Sequence, residues 1–231
     1  MEPPSNKDPV TQTIARQLQE MIRSGALAKD QKIPPQRALS EQLGVSRASL
    51  REALLTLETL GLVKTYPARG TFVLGTQAKP AATEPWRFVS QYSILDVFQS
   101  RLLIEGELCR LACPLVTPEV ANALEQANRD FEGAWRDGDL VSHVEADLAF
   151  HALIAETCPN EMMKSLYRSV REMLTESQRV PIPNTAVARM EASIQEHHVI
   201  LQALTQNTPD AAAEAMRAHV RNTAACAGYI V

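Results

Sequence analysis

The spacing of apolar and polar residues divides the chain into a short mixed segment and a longer segment that is almost continuously helical. In the first segment, apolar side chains recur at helical intervals in three stretches, and two runs of strand-forming residues follow. The first predicted helix ends at Gly25. Its apolar face consists of Ile14, Leu18, Met21 and Ile22. This pattern predicts a small N-terminal domain of mixed structure.

The second and third predicted helices are separated by a tight turn. Gly44 supplies the backbone freedom for that turn, and Ser46 is a favoured N-cap for the third helix, which ends at Gly61. The apolar stripe of the third helix consists of Leu50, Ala53, Leu54 and Leu57. A short helix, a glycine turn and a longer helix in this order predict a helix-turn-helix.

Two short strands are predicted next, at Leu62–Tyr66 and Thr71–Leu74, and residues 67–70 (Pro-Ala-Arg-Gly) connect them. Strand-forming residues on both sides of a short connection with proline and glycine are typical of a β-hairpin. A hairpin directly after a helix-turn-helix predicts a wing. We therefore expect residues 1–78 to form a winged helix-turn-helix domain.

The stretch from Gly75 to Trp86 contains two prolines, several small residues and no helical period, which indicates a linker. We place this linker at residues 79–91. The remaining residues, 92–231, are expected to form an all-helical domain. Its six helices are predicted near residues 93–112, 117–137, 139–157, 160–179, 185–206 and 209–226. The predicted fold class is mainly α, with a helical bundle as the larger domain.

Composition narrows the class of protein. The chain has 231 residues, of which 45% are hydrophobic and 22% charged, and it contains no run of ~18 apolar residues of the kind that spans a membrane. The N-terminus has no apolar core typical of a secretory signal. The four cysteines form no CxxC pair, which favours a reducing compartment. We therefore expect a cytoplasmic protein without a membrane partner.

Charge is distributed unevenly between the two predicted domains. Residues 1–78 contain 10 Lys+Arg and 7 Asp+Glu, whereas the rest of the chain contains 13 and 20. The N-terminal part therefore carries a formal charge of +3 and the remainder −7, which together give the net charge of −4. A basic domain joined to an acidic one indicates two separate tasks, with nucleic acid as the partner of the basic part.

Polar and basic side chains mark a candidate DNA-binding surface. In helix-turn-helix proteins, the N-terminal end of the second motif helix enters the major groove, where arginine can bind guanine and hydroxyl groups can reach phosphates. Arg47, Ser49 and Arg51 lie at that end, Arg37 opens the preceding helix, and Arg69 lies at the tip of the wing. Any one of these arginines alone would be read as a solvated charge. Their combination with the turn, the wing and the charge asymmetry predicts binding to double-stranded operator DNA.

The segment "IPPQRALSEQLGVSRASLREALLTLETLGLVKTYPARGTFV" resembles the winged helix-turn-helix of the GntR family of bacterial transcription regulators, and the resemblance covers about residues 10–75. It implies three DNA-contacting arginines, which are Arg37, Arg47 and Arg51. It also implies that Gly70 is the wing glycine that lets the backbone approach the minor groove. The chain departs from the family pattern at Pro35 and Gln36, where a serine and an acidic residue are usual. This departure removes an N-cap hydroxyl and a charged neighbour of Arg37.

Metal-ligand side chains occupy apolar positions of three predicted body helices. Asp147 and His151, spaced i and i+4, share the inward face of one helix, and His197 and His219 lie on the inward faces of two others. One carboxylate and three imidazoles suit a divalent transition ion such as Zn, Ni, Mn or Fe. The alternative is that each is a hydrogen-bonded core residue. That alternative fits Asp147 least well, because burying an unpaired carboxylate costs several kcal/mol of folding free energy.

The body also resembles a known domain. The pieces "DLAFH", "CPNEMM" and "EHHVIL", with a histidine 22 residues after His197, resemble the FCD ligand-binding domain of the FadR-like subfamily over about residues 93–226. This resemblance implies a metal site at Asp147, His151, His197 and His219, with a small organic acid bound beside it. Arg101 and Glu105 match an arginine and a glutamate of the domain's first helix.

Separate expectations follow for three further residues near this site. Arg101 is a candidate for binding the carboxylate of the acid, provided that it faces inward. His198 is expected to point outward or to lie at an edge, because it is about 100° around the helix from His197. His143 is a candidate for an outer contact at the rim of the pocket.

These observations favour a homodimeric, ligand-responsive transcription regulator, more specifically a repressor. A dimer is expected because helix-turn-helix modules usually read two half-sites. Two alternatives stay open at this point. One is a metal-dependent enzyme fused to a DNA-binding head, although the chain lacks HExxH and GxSxG motifs and offers no evident general base. The other is a constitutive DNA-binding protein with a structural metal.

Overall fold

The computed structural model describes residues 8–76, 86 and 88–231. The chain divides into two compact units, which we call the head (mainly the described residues up to 76) and the body (mainly residues 88–231). The predicted linker at 79–91 lies largely outside the described residues. Among the helices of the described part, none is both long and apolar enough to cross a membrane.

The head contains the predicted helix-turn-helix. Its helices are α1 (Asp8–Arg23), α2 (Gln36–Leu43) and α3 (Arg47–Thr59). Gly44 follows α2 with φ of 66°, a left-handed conformation that favours glycine. Ser46 caps α3, because its hydroxyl accepts a hydrogen bond from the backbone N–H of Ser49 at 3.0 Å. The apolar stripe predicted for α3 is buried against the rest of the head.

The wing is a two-stranded antiparallel hairpin. Strands β1 (Val63–Tyr66) and β2 (Gly70–Val73) pair so that Tyr66 lies opposite Gly70. The wing is anchored to α3, because the carboxylate of Glu58 accepts a hydrogen bond from the backbone N–H of Thr65 at 2.6 Å. The strands differ from the predicted ones by a single residue at three of their four ends.

The body is a bundle of helices, as predicted. Its helices are α4 (Ile94–Ala112), α5 (Pro118–Asp137), α6 (Leu140–Thr157), α7 (Glu161–Ser169), α8 (Arg171–Arg179), α9 (Val187–Thr205) and α10 (Pro209–Cys226). Helix α4 begins with a capping box in which Ser93 and Asp96 satisfy each other's backbone N–H groups. Helices α4, α9 and α10 pack together around the main apolar core. Cys109 and Cys113, four residues apart on and just after α4, are buried in this core.

One predicted helix is divided in the structure. Residues 160–179 were expected to form a single helix, but Val170 leaves the helical conformation and separates α7 from α8. The segment contains no proline or glycine, so no residue in it signals a break. Tyr167 and Leu174 flank the break, and both pack into an apolar cluster with Val97 and Leu108 of α4. The bend lets both sides reach α4, so the break has a tertiary cause.

Candidate metal centre and DNA-binding surface

Helices α6, α9 and α10 bring four metal-ligand side chains together inside the body. These residues are Asp147, His151, His197 and His219, and one ligand atom from each lies within 4.8 Å of all the others. All four residues are buried, and none is more than 8% exposed. Their helices were expected to turn them inward, and the structure adds that the four meet at a single point.

The distances within this cluster suit a divalent ion. Oδ1 of Asp147 lies 3.2 Å from Nε2 of His197 and 3.6 Å from Nε2 of His151. Neither imidazole Nε2 makes a hydrogen bond of good geometry with any described residue. Ligand atoms about 2.1 Å from a tetrahedral ion are ~3.4 Å apart, so the two contacts of Asp147 already match that spacing, and the widest pair, within 4.8 Å, would close by up to ~1.4 Å around an ion. The residues therefore fit such an ion both in chemistry and in spacing.

Charge in the cluster is strongly coupled. Burial raises the pKa of the Asp147 carboxyl, but its close contacts with the imidazoles of His151 and His197 outweigh burial and bring the pKa well below its usual value. Burial lowers the pKa of His197 to about 3, so this imidazole is neutral at pH 7. Burial also lowers the pKa of His219. Two of the three histidines are therefore ready to act as neutral ligands.

A buried arginine and glutamate stand behind His151. The carboxylate of Glu105 contacts Nδ1 of His151 and accepts a hydrogen bond from Nε of Arg101 at 2.6 Å. Burial lowers the pKa of His151, but the negative charges of Glu105 and Asp147 raise it to about 9. Arg101 also donates to the hydroxyl of Ser177 in α8 at 3.2 Å. In the metal-free protein, a proton on His151 thus supplies positive charge between two carboxylates.

A second arginine and glutamate stand behind His219, and the sequence did not single them out. Nδ1 of His219 donates a hydrogen bond to Oε2 of Glu196 at 3.0 Å. Arg189 donates to both oxygens of that carboxylate, at 2.8 and 2.5 Å. Burial raises the pKa of Glu196, but these partners lower it to about 2. The sequence does contain an indication of this pair, because Arg189 and Glu196 are seven residues apart and so share one face of α9.

His197 is held differently. Its ring stacks on Phe150, with ring centres 4.3 Å apart and planes at 5°, and on Phe131 at 4.8 Å. Two aromatic faces fix the plane of the imidazole, and its Nδ1 has no hydrogen-bond partner among the described residues, so its orientation depends mainly on packing. The neighbouring His198 is exposed, as predicted, and contacts Asn128.

A cavity of about 40 Å³ adjoins this cluster. Both Asp147 and His219 line it. Further polar lining residues are His143, Gln178, Thr185, Arg189, Ser193 and Thr223. His143 is buried, and its Nδ1 donates to the carbonyl of Phe131 at 2.9 Å. Arg101 is completely buried and is not among the described residues that line this cavity.

The predicted DNA-binding residues lie on the surface of the head. Arg47 and Arg51 are exposed in the first turns of α3, and Arg51 also contacts Glu52 at 3.4 Å. Ser49 is half-buried, and its hydroxyl lies 2.9 Å from that of Ser46, so it takes part in the helix cap. Arg37 is exposed and paired with Glu41 at 3.2 Å. Arg37 is the second residue of α2. The residue before this helix is Pro35, whose side chain cannot cap it.

The wing places one arginine against two aromatic rings. The guanidinium of Arg69 lies 5.4 Å from the ring centre of Tyr66 and 6.0 Å from that of Phe72. Gly70 has φ of 104°, and a Cβ added there would lie 2.7 Å from Cε of Lys32. The exposed Lys32 thus adds a positive charge beside the wing glycine, and sequence reasoning missed it because it lies outside the motif helices.

A winged helix-turn-helix with exposed arginines, in one chain with a helical domain that gathers a carboxylate and three imidazoles, defines a two-domain transcription regulator. Comparison with known families gives the same class. Residues 10–73 match the model of the bacterial regulatory proteins of the gntR family, and residues 96–222 match the FCD domain. The chain belongs to the GntR family of bacterial transcription regulators and carries a C-terminal FCD domain, as in the FadR-like subfamily.

Individual relatives agree with this assignment. The chain is 29% identical to the Glc operon transcriptional activator of Escherichia coli K12, over 92% of this chain and 87% of that protein. It is 25% identical to the HTH-type transcriptional repressor NanR of Enterobacter sp. 638, over 96% and 86%. A solved GntR-type regulator of Rhodococcus sp. RHA1 shares the fold, with a TM-score of 0.56 at 19% identity over 96% and 99%. These relatives are regulators and not enzymes.

Proposed function

We propose that this protein is a metal-dependent sensor of a small organic acid that represses transcription and leaves its operator when the acid binds. The observation that carries the proposal is the buried cluster of Asp147, His151, His197 and His219 beside a cavity lined by both polar and apolar side chains, in a chain with a DNA-binding domain. In this proposal, residues 1–78 bind DNA, residues 79–91 connect the domains, and residues 92–231 bind the effector and hold a homodimer. Such a protein would act in the cytoplasm, where its operator lies.

Each part of the metal centre has a distinct role in the proposal. Asp147 and the three histidines would hold a divalent ion, with Zn, Ni, Mn and Fe as candidates. When bound, the ion supplies a Lewis-acidic position for a carboxylate oxygen of the effector. The carboxylates behind His151 and His219 fix the ring orientation and direct Nε2 of each ring towards the ion.

Arg101 is retained in the proposal as an effector-binding residue. Its guanidinium is buried, and Glu105 already neutralises it. We therefore expect it to act on the acid by opening towards the cavity or by orienting Glu105 and His151. Measuring how tightly an Arg101 variant binds the acid would distinguish the first role from the second.

DNA contact is assigned to the head. Arg47, Ser49 and Arg51 would approach base edges and phosphates in the major groove. Arg37 would contact the adjacent backbone, while Arg69 and Gly70 would place the wing against the minor groove. The support is the exposure of the arginines on α2, α3 and the wing, together with the positive charge of residues 1–78.

Repression is the proposed direction of control, although the relatives include an activator as well as a repressor. The mechanism is a shift of population, in which the acid favours a body conformation whose two heads no longer match the half-sites. A change from 99:1 to 1:99 in DNA-competent molecules requires the acid to prefer one state by ~5.5 kcal/mol. A constitutive DNA-binding protein with a structural metal would show no such preference.

One experiment tests the proposal as a whole. Selection from random duplexes would identify the operator, and fluorescence anisotropy would then measure binding by protein purified without chelators. A panel of small mono-, di- and tricarboxylic acids is added with and without prior removal of metal. We expect at least one acid to weaken operator binding, and only in the metal-loaded protein. Release by an acid in metal-free protein would contradict the metal-dependent part, and tighter binding with an acid would contradict repression.

Dimerisation is tested separately. A fragment of residues 80–231 is expected to remain dimeric in sedimentation at micromolar concentration, because the head has little apolar surface left after filling its own core. A monomeric fragment would place the dimer contacts in the head or the linker instead.

A further inference from the structure

Glu105 and Glu196 each contact Nδ1 of a metal-ligand histidine, and each is paired with an arginine. The two arginines differ in whether they line the cavity. Arg101 is completely buried with Glu105, and the described cavity lining does not include it. Arg189 lines the cavity and at the same time donates to both oxygens of Glu196. Of these two arginine–glutamate pairs, only the second joins an arginine that lines the cavity to a metal-ligand histidine.

Glu196 is the centre of this second arrangement. Its Oε2 accepts hydrogen bonds from Nδ1 of His219 at 3.0 Å and from Arg189 at 2.5 Å. Its Oε1 accepts from Arg189 at 2.8 Å and from the side-chain amide of Asn222 at 2.6 Å. A carboxylate that accepts from an imidazole fixes which ring nitrogen carries the proton, and so leaves Nε2 of His219 with its lone pair facing the ion site.

We propose that Glu196 is a positioning residue that orients His219 for the metal ion and transmits to the ion the state of Arg189 in the cavity. The inference rests on the proposed metal centre. Glu196 shares its negative charge between His219 and Arg189. An acid in the cavity that draws Arg189 away leaves more of that charge to His219, which makes the imidazole a stronger ligand. The acid and the ion then favour each other's binding by the same factor, as linkage requires.

The test uses the full-length, metal-free protein and Zn²⁺ alone, titrated against a chromophoric chelator. Glu196→Gln keeps the shape of the side chain but removes its charge. We expect it to weaken Zn²⁺ binding by ~10–100-fold, the usual range for partners that orient a metal ligand. Glu156→Gln is the matched control, because Glu156 pairs with both Nε and Nη2 of Arg168 on the surface of the same unit. Its Zn²⁺ affinity should equal that of the wild type.

Arg189→Gln gives a prediction of opposite sign. Removing the guanidinium leaves Glu196 bound to His219 and Asn222 with its charge no longer shared. Zn²⁺ affinity should therefore be higher than that of the wild type, and an unchanged affinity would contradict transmission from Arg189 to the ion. If Arg189→Gln weakened Zn²⁺ binding as much as Glu196→Gln, the pair would only support the fold, and the positioning role would be overturned.

Two further measurements separate positioning from a general loss of structure. The visible absorption of the Co²⁺ form should change in Glu196→Gln and remain unchanged in Glu156→Gln, because only the first alters a ligand's orientation. If Glu196→Gln does not fold, Asn222→Ala removes one hydrogen bond to the same carboxylate and should weaken Zn²⁺ binding a few-fold. Wild-type affinity in whichever of these variants folds would overturn the role of Glu196. Absence of Zn²⁺ binding by the wild type would overturn the metal centre itself.

Discussion

The head and the body place their functional side chains in opposite environments. Arg37, Arg47 and Arg51 are exposed, whereas Asp147 and His197 are buried in the body. An exposed arginine contributes little to folding, so it can be chosen for the ligand it meets outside the protein. A buried carboxylate must have its charge compensated within the fold, so the body's functional residues are also part of its internal electrostatics. Changes to these exposed arginines should therefore affect binding alone, and changes to the buried ligands of the body should affect binding and stability together.

The largest effect is expected from His197→Ala. This change removes one of four ligands from a buried site, and we expect metal affinity to fall by roughly 100-fold or more, beyond the range for residues that only orient a ligand. Operator affinity of the metal-free protein should be unchanged, because the DNA-binding residues belong to the other unit. Elemental analysis after purification and anisotropy with operator DNA provide the two measurements.

His198→Ala is the control for this prediction, since His198 is the exposed neighbour on the same helix. Equal loss of metal in the two variants would exclude His197 as a specific ligand. Wild-type protein that contains no metal when prepared without chelators would remove the basis of the comparison between head and body. In that case His151, with its pKa of about 9, would be the counter-charge of Asp147.

The next largest effect is expected from Arg47→Ala. If Arg47 binds guanine, the change should weaken operator binding by ~1–3 kcal/mol and relax specificity at one base position. The exposed side chain makes no contribution to the core, so thermal stability and metal content should not change. Titration of operator and scrambled duplexes at the same salt concentration measures both affinity and specificity.

Lys29→Ala is a suitable comparison, because Lys29 is an exposed basic residue outside the two motif helices. A uniform loss on operator and scrambled DNA in Arg47→Ala would make Arg47 a phosphate contact. Operator affinity equal to that of the wild type would remove Arg47 from the DNA-binding surface.

The same contrast explains how much could be predicted from the sequence. The fold of the head could be predicted from local signals. Gly44 predicts a tight turn and Ser46 predicts a helix N-cap, and the structure has both. The inward positions of Asp147 and His197 follow from helical periodicity. Periodicity gives only a face of each helix, so it could not establish that three helices meet at one point.

What the sequence did not reveal is tertiary in origin. The break at Val170 allows residues on both sides to pack against α4, and no residue of the segment marks it. In the sequence, Arg189 and Glu196 look like any ion pair on one exposed helix face. Their role is visible only in the structure, where α10 brings His219 to the carboxylate of Glu196. Arg101 could be assigned to the interior only after its partners Glu105 and Ser177 were known.

A smaller effect, about tenfold per pH unit, is expected for metal affinity as a function of pH. In the metal-free body, the pKa of His151 is raised to about 9, while His197 has a pKa of about 3 and is already neutral. Between pH ~6.5 and ~9 the ion must therefore displace one proton, so affinity should rise about tenfold per unit and level off above ~9.

The stability of the metal-free protein should change in the opposite direction. The folded-state pKa of His151 lies above the ordinary value of 6.5, so its stabilising contribution is complete below ~6.5 and is lost as pH rises through ~9. Chelator-competition titrations and denaturant unfolding across this range measure the two trends. Metal affinity that is independent of pH from 6.5 to 9 would show that His151 is already neutral in the metal-free protein.

The smallest effect is expected in the head, from Ser46→Ala. The hydroxyl of Ser46 caps α3 by accepting from the N–H of Ser49 at 3.0 Å, and its loss should destabilise the head by ~1 kcal/mol. Ser24→Ala is the control, because the hydroxyl of Ser24 makes only a long, exposed contact of 3.4 Å with the carbonyl of Met21. Metal affinity should be unchanged in both variants, since neither serine belongs to the body. A head that unfolds earlier in Ser46→Ala, while the body unfolds as in the wild type, would demonstrate that the two units are stabilised independently. Loss of metal from Ser46→Ala would contradict that independence.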